Sequence, residues 1–161
     1  MIKLRPYTFD DANKILRWIS DEESFFLWCA DRFKNYPLSS EEFNEQLYID
    51  NNVYKGFVAV DENEVIGHLF IQHLQNDEYK FGLIIVDSSK RGKGYGKQML
   101  IEALEFAKKE YNAKKVTLSV FDTNISAYNC YISLGFKETR DYVLHKFLGK
   151  EYKYIELEYK F

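Results

Sequence analysis

Cysteine, proline and long apolar runs are scarce in this chain, and each scarcity excludes something. Two cysteines, Cys29 and Cys130, stand far apart, too few for a disulfide framework or a four-ligand zinc site. No metal is expected. Two prolines in 161 residues argue against a proline-rich linker and favour regular sheet and helix. No apolar run is long enough to cross a bilayer, and the first residues lack the basic-then-apolar layout of a signal peptide. A cytoplasmic protein without a membrane partner is therefore expected. A charge excess is missing too. The 25 acidic and 22 basic residues leave a formal net charge of −3, with no general drive toward nucleic acid phosphates.

What is present is material for one core. Hydrophobic residues make up 46% and charged residues 29%, a balance that excludes disorder. Finding no linker, repeat or low-complexity tract, we expect residues 1–161 to form a single domain, as a monomer or homodimer.

Hydrophobic spacing orders the elements. Ile2 to Arg5 alternates and stops at Pro6, as a short first strand does. Asp10 and Asp11 precede a helical stripe of Ala12, Ile15, Leu16, Trp18 and Ile19. Phe25 to Leu38 reads as aromatic and irregular, and Ser39-Ser40-Glu41-Glu42 as a capped start to a second helix. From Gly56 the pattern changes to strands: 57–60, 65–73 and 79–86, joined by polar turns into an antiparallel meander. A helix with Met99, Leu100, Ala103, Leu104, Phe106 and Ala107 on one face follows. Next come a strand over 116–121, a short helix from Asn124 to Leu134 closed by Gly135, and a terminal hairpin of 136–147 with 152–161. A strand, a helix and a strand in mid-chain predict a parallel pair. The fold class is α/β with α+β character: a mixed, mostly antiparallel sheet with helices on both faces.

The most informative segment is Lys90-Arg91-Gly92-Lys93-Gly94-Tyr95-Gly96-Lys97, between a buried strand and a long helix. Glycines permit a tight turn and close approach of a ligand to the main chain. The first helical N–H groups lack partners and carry the positive end of the dipole, which suits a phosphate. Spacing separates the known phosphate loops. A Walker A loop needs Gly where Arg91 stands and Ser or Thr where Gln98 stands. A Rossmann fingerprint needs its third Gly at Lys97.

The segment instead resembles the acyl-CoA loop of the GNAT superfamily of acyl-CoA-dependent N-acetyltransferases. Its pattern is Arg or Gln, two residues, Gly, one residue, then Gly or Ala, met by Arg91, Gly94 and Gly96. A second block also resembles that family: Asn124, Ala127, Tyr131, Gly135 and Phe136 stand at the spacing of its later helix. The predicted order of elements matches as well.

The resemblance implies a GNAT-like sheet with its parallel pair splayed, acetyl-CoA as cosubstrate and a primary amine as acceptor, a small molecule or a protein N-terminus. Pantetheine would enter the splay along the main chain of Ile84, Ile85 and Val86. The pyrophosphate would sit on Arg91, Gly92, Lys93, Gly94, Tyr95 and Gly96, extending to Lys97. Asn124 would hold the pantetheine arm, cap its helix, or do both. Tyr131 would be the general acid that protonates the leaving thiolate, or else a packing residue. Many members carry a strand Glu as base; here the stretch is Lys80, Phe81, Gly82 and Leu83. Asp122 is the nearest acid to the expected thioester, with Glu22, Glu23, Asp31, Glu78, His68 and His73 behind it. The aromatics Trp18, Phe25, Phe26, Trp28, Phe33 and Tyr36, among Asp21, Glu22, Glu23 and Asp31, would form either an acid-rimmed wall for a cationic amine or plain core. A non-catalytic acyl-CoA sensor is the alternative function.

Overall fold

Alternation along the middle strands decides the layering. In β2 (Tyr54–Asp61), Phe57 and Ala59 join one apolar cluster and Val58 another; in β3 (Glu64–Gln75), Leu69 and Ile71 oppose Phe70 in the same way. Strands apolar on both faces must be covered twice. The computed structural model describes residues 1–49 and 52–161. The remaining strands are β1 (Lys3–Pro6), β4 (Glu78–Val86), β5 (Lys115–Phe121), β6 (Lys137–Phe147) and β7 (Lys150–Lys160). They form a seven-stranded sheet of order β1-β2-β3-β4-β5-β7-β6, in which the β4–β5 pair alone is parallel. The mixed, mostly antiparallel sheet is thus as expected.

Helices α4 (Tyr95–Tyr111) and α5 (Ile125–Leu134) cover one face; α1 (Ala12–Arg17), α2 (Glu22–Cys29) and α3 (Ser40–Leu47) cover the other. The α4 stripe of Met99, Leu100, Ala103, Leu104 and Ala107 is buried, each large side chain contributing about 1.5–3 kcal/mol. Phe106 sits at the margin of this stripe, with its ring 4.8 Å from that of Phe57. The terminal hairpin turns tightly at Leu148 (φ 49°) and Gly149 (φ 76°), since positive φ at both central residues matches strand twist. Among the described residues, no helix is long and apolar enough to cross a membrane.

Two features differ from the sequence reading. The segment expected to be irregular from Phe25 begins inside helix α2, which Asp21 caps by accepting from the Ser24 N–H at 2.7 Å. Phe25 and Cys29 face the core under α1 and α3, while Phe26 turns to Phe121 and Tyr152. Burial on two sides erases the single apolar stripe from which a helix is normally read.

The second difference is a β-bulge. Tyr79 and Phe81 of β4 pack toward α4, yet so do Ile84 and Val86, while Leu83 and Ile85 face the opposite core. Phe70 pairs with Gly82 and His68 with Ile85, so Leu83 and Ile84 together oppose Leu69. The extra residue flips the parity of the strand. Leu83 takes φ +48°, at a cost of about 1–2 kcal/mol for a residue with a Cβ.

A buried histidine holds this bulge. His68 is 0% exposed, with Nδ1 3.2 Å from the Leu83 carbonyl and Nε2 2.9 Å from the Tyr48 hydroxyl. A carbonyl only accepts, so Nδ1 carries the proton and Nε2 accepts from Tyr48. The Tyr7 ring lies 4.4 Å from that of Tyr48, and its hydroxyl donates to Asn44 Oδ1. Burial pushes the His68 imidazole down to about 4, so it is neutral at neutral pH.

Candidate active site

Beyond the bulge the parallel strands part. Their pairing holds only where Glu78 to Lys80 meet Lys115 to Thr117; from Leu118 onward β5 continues on β7 alone. The free edge of β4 therefore faces a gap, closed below by α5 and capped at one end by the turn after Val86.

That turn is built for its backbone shape. The Asp87 side chain accepts from the Ser89 N–H at 2.9 Å and sets a single helical turn over Ser88–Lys90. Gly92 (φ +78°) and Gly94 (φ +82°) then take left-handed conformations, which a Cβ penalises. Gly94 is the N-cap of α4, so the first N–H groups of a 17-residue helix open here. At Gly96 an added Cβ would meet Val86 at an ordinary 3.6 Å; the protein itself does not demand glycine there. Lys90 is tied to Glu64 at 2.8 Å and the Tyr95 hydroxyl donates to Asp61 at 2.9 Å. Arg91 Nε reaches the Val86 carbonyl at 3.4 Å. Lys93 and Lys97 are exposed.

A cavity of about 510 Å³ runs from this turn along the gap. Arg91, Gly92, Gly94, Tyr95, Gly96 and Lys97 line one end, Ile84, Ile85 and Val86 one wall, and Asn124 and Tyr131 the far end. Lys93 is not part of the lining. Past Tyr131 lies a second cavity of about 50 Å³, with Arg32, Lys80, Ser119 and Tyr154 in its lining. Asn124 and Tyr131 border both spaces.

Tyr131 is 6% exposed, and burial pushes its phenol well above the ordinary tyrosine range, so it stays a proton donor at neutral pH. Asn124 caps α5 through Oδ1, 3.4 Å from the Ala127 N–H. Its amide NH₂ has no protein partner among the described residues.

The candidate bases are not brought here. Asp122 is exposed, its carboxylate takes the Lys153 N–H at 3.4 Å, and it lines neither cavity. Glu78 pairs with Lys115 at 3.2 Å. His73 is exposed on the Asn76 carbonyl, and His68 belongs to the bulge. Glu22, Glu23 and Asp31 are exposed and line neither cavity, so the expected acid rim is not part of the cavity lining. Among the described residues, no Asp or Glu lines either cavity. Sequence reasoning missed Arg32, Lys80, Cys29 and Tyr154. A lysine between Tyr79 and Phe81 in a buried strand was the available signal.

The sequence model of the Acetyltransferase (GNAT) family matches residues 10–136. "Uncharacterized N-acetyltransferase YycN" of Bacillus subtilis is 38% identical over 95 residues, 55% of this chain and 58% of that protein. The spermine/spermidine N(1)-acetyltransferase of the same organism is 36% identical over 85 residues, 53% and 49% of the two. The chain thus spans about half the length of the curated relatives it matches. In structure it is similar to the spermidine N-acetyltransferase of Vibrio cholerae solved with CoA and spermine, at a TM-score of 0.81 and 21% identity over 99% of this chain and 95% of that one. That likeness speaks for the fold alone. The family match takes in α1, the bulged strand, the glycine turn and the α5 motif through Phe136, and so the chain belongs to the Acetyltransferase (GNAT) family.

Proposed function

We propose that residues 1–161 form one acetyl-CoA-dependent N-acetyltransferase domain that acetylates a primary amine. The observation that carries this reading is a single continuous gap, leading from the anion-receiving turn to a buried, protonated phenol. The backbone N–H groups from Arg91 to Lys97 would hold the pyrophosphate. The main chain of Ile84, Ile85 and Val86, along the edge of β4 that β5 leaves, and the amide of Asn124 would align the pantetheine arm.

The chemistry follows from the lining. An amine lone pair attacks the thioester carbonyl; an N–H on the free edge of β4 steadies the oxyanion. Collapse of the tetrahedral intermediate breaks the C–S bond, and Tyr131 gives its proton to the departing sulfur. Burial pushes the Cys29 thiol up to about 11, so no thiolate is at hand to carry the acyl group, and direct attack is the simpler course. With no carboxylate in the lining, the amine enters as its free base, and the proton its nitrogen sheds after attack passes through water and restores the Tyr131 phenol. Asp122, engaged with Lys153, takes no step in this scheme.

The missing carboxylate also favours a second reading, a non-catalytic acyl-CoA sensor. Thiol release from acetyl-CoA with a panel of amines separates the two. Turnover with any amine supports the enzyme; CoA binding without turnover supports the sensor. In both cases CoA should raise the melting temperature far more than ATP or NAD, by about 2.7 kcal/mol of stabilisation at a hundredfold excess over Kd. No shift at millimolar CoA would overturn both.

A further inference from the structure

The small cavity past Tyr131 has an electrostatic character that the catalytic scheme does not use. Its charged lining consists of Arg32 and Lys80 alone. Arg32 donates from Nη1 to the Tyr54 hydroxyl at 2.9 Å, and its guanidinium stands 4.9 Å from the Phe70 ring centre and 5.1 Å from that of Tyr54. None of the ion pairs among the described residues includes Arg32 or Lys80. Glu156 acts on Lys80 through space, as Asp31 does on the neighbouring Tyr154, but neither carboxylate lines the cavity. Trp28, on the walls of both cavities, adds a buried indole N–H without a partner.

Two like charges against one half-buried space destabilise the fold unless something offsets them. Burial and the Arg32 charge both push the Lys80 ammonium toward its neutral form. Glu156 offsets part of that cost for Lys80, and Tyr54 and Phe70 offset part of it for Arg32, yet neither cation has a direct ion pair among the described residues, so the cavity suits an anion.

We infer that the small cavity receives an anionic group of the acyl acceptor, which makes the acceptor a zwitterionic amine, an amino acid or its phosphonate analogue, and not a polyamine. The inference rests on the acetyltransferase reading above. A carboxylate or phosphonate fits a space of about 50 Å³ and pairs with a guanidinium and an ammonium by charge-assisted hydrogen bonds. A polyamine would bring further positive charge against Arg32 and Lys80. The cation that repels it also orients the anionic acceptor, so attraction and rejection come from the same residues.

The test uses the full chain with saturating acetyl-CoA and reads thiol release with matched acceptors: alanine against alaninamide, β-alanine against its amide, aminomethylphosphonate, and spermidine. The amide's amine is the less basic, so its larger free-base fraction works against the prediction. The expected result is a kcat/KM about 10- to 100-fold higher for the acid of a pair, the scale of a hydrogen bond to a charged group. Lys80→Met should erase that preference through KM, with the CoA-induced thermal shift intact; Arg32→Gln is a second variant with the same expectation. Equal or better turnover of the amide or of spermidine by the unaltered chain overturns the inference. If CoA binds and no amine turns over, the acetyltransferase reading falls by itself. Calorimetric titration of N-acetylalanine into the CoA-saturated chain then decides the anion site. Binding lost in Lys80→Met supports it, and no binding, or equal binding of N-acetylalaninamide, overturns it.

Discussion

Lowering the pH should loosen the bulge through one residue. His68 is 0% exposed, and burial moves its imidazole from 6.5 to about 4. Well above pH 6.5 the side chain is neutral folded and unfolded, and it adds no pH slope. Below about 6.5 the unfolded chain takes up the proton, while the folded chain refuses it until about pH 4, so stability is lost across that window. Each pH unit is worth about 1.36 kcal/mol, which gives about 2 kcal/mol lost by pH 5 and about 3.4 kcal/mol once the folded state titrates too. The structural reason is plain. Nε2 accepts from Tyr48 while Nδ1 donates to Leu83; a doubly protonated ring would be a buried cation, and Tyr48 would have to switch from donor to acceptor. Urea unfolding of the unaltered chain and of His68→Gln, each at about pH 7.5 and about pH 5, isolates the effect. Carboxylates common to both proteins cancel in the difference. The unaltered chain should lose about 2 kcal/mol more than the variant on acidification. Equal losses would refute the claim that His68 is held neutral in the folded state.

Three further outcomes are expected. Tyr131→Phe keeps the ring and removes the O–H, so kcat should fall about 10²- to 10⁴-fold with CoA affinity unchanged; an unchanged kcat in a chemistry-limited assay removes Tyr131 from the mechanism. Gly94→Val puts a branched residue at φ +82°, so the CoA-induced thermal shift should vanish and the apo chain lose about 1–2 kcal/mol; a normal shift would place the pyrophosphate elsewhere. Gly82→Ala would drive a Cβ into the ring of the fully buried Phe70, and urea unfolding should register about 1–3 kcal/mol of overpacking; an unchanged midpoint would mean that the bulge can yield.

The sheet was readable because its strands alternate and its turns are polar, as at Asp61-Glu62-Asn63-Glu64. The glycine turn was readable because positive φ and a helix start both leave marks in composition. The bulge left none. Leu83, Ile84, Ile85 and Val86 are all apolar, and a slip in parity is invisible when both faces want the same residue type. Helix α2 was hidden for a related reason, since Phe25 and Phe26 serve different cores. The acids of that segment misled because local duties claim them. Asp21 caps α2, and Glu22 and Glu23 fill its first turn, where negative charge suits the helix dipole. Which way a carboxylate faces is decided by such a cap, and the count of acids near an aromatic run does not reveal it.

The same division explains how a chain with a formal net charge of −3 carries a site of opposite sign. Arg91, Lys90 and Lys97 border one end of the gap and Arg32 and Lys80 the other, while no described carboxylate lines it. The acids are spent outside, as caps, on exposed helix faces, and in ion pairs such as Glu64 with Lys90 and Glu78 with Lys115. Low-dielectric walls focus the remaining positive potential along the gap, where the proposed polyanionic cosubstrate would enter. Global charge is therefore a poor guide to the partner here. The sign that matters is that of the side chains lining the opening, Lys90, Arg91 and Lys97 at the glycine turn and Arg32 and Lys80 in the small cavity, and those few residues favour anions at both ends of one path.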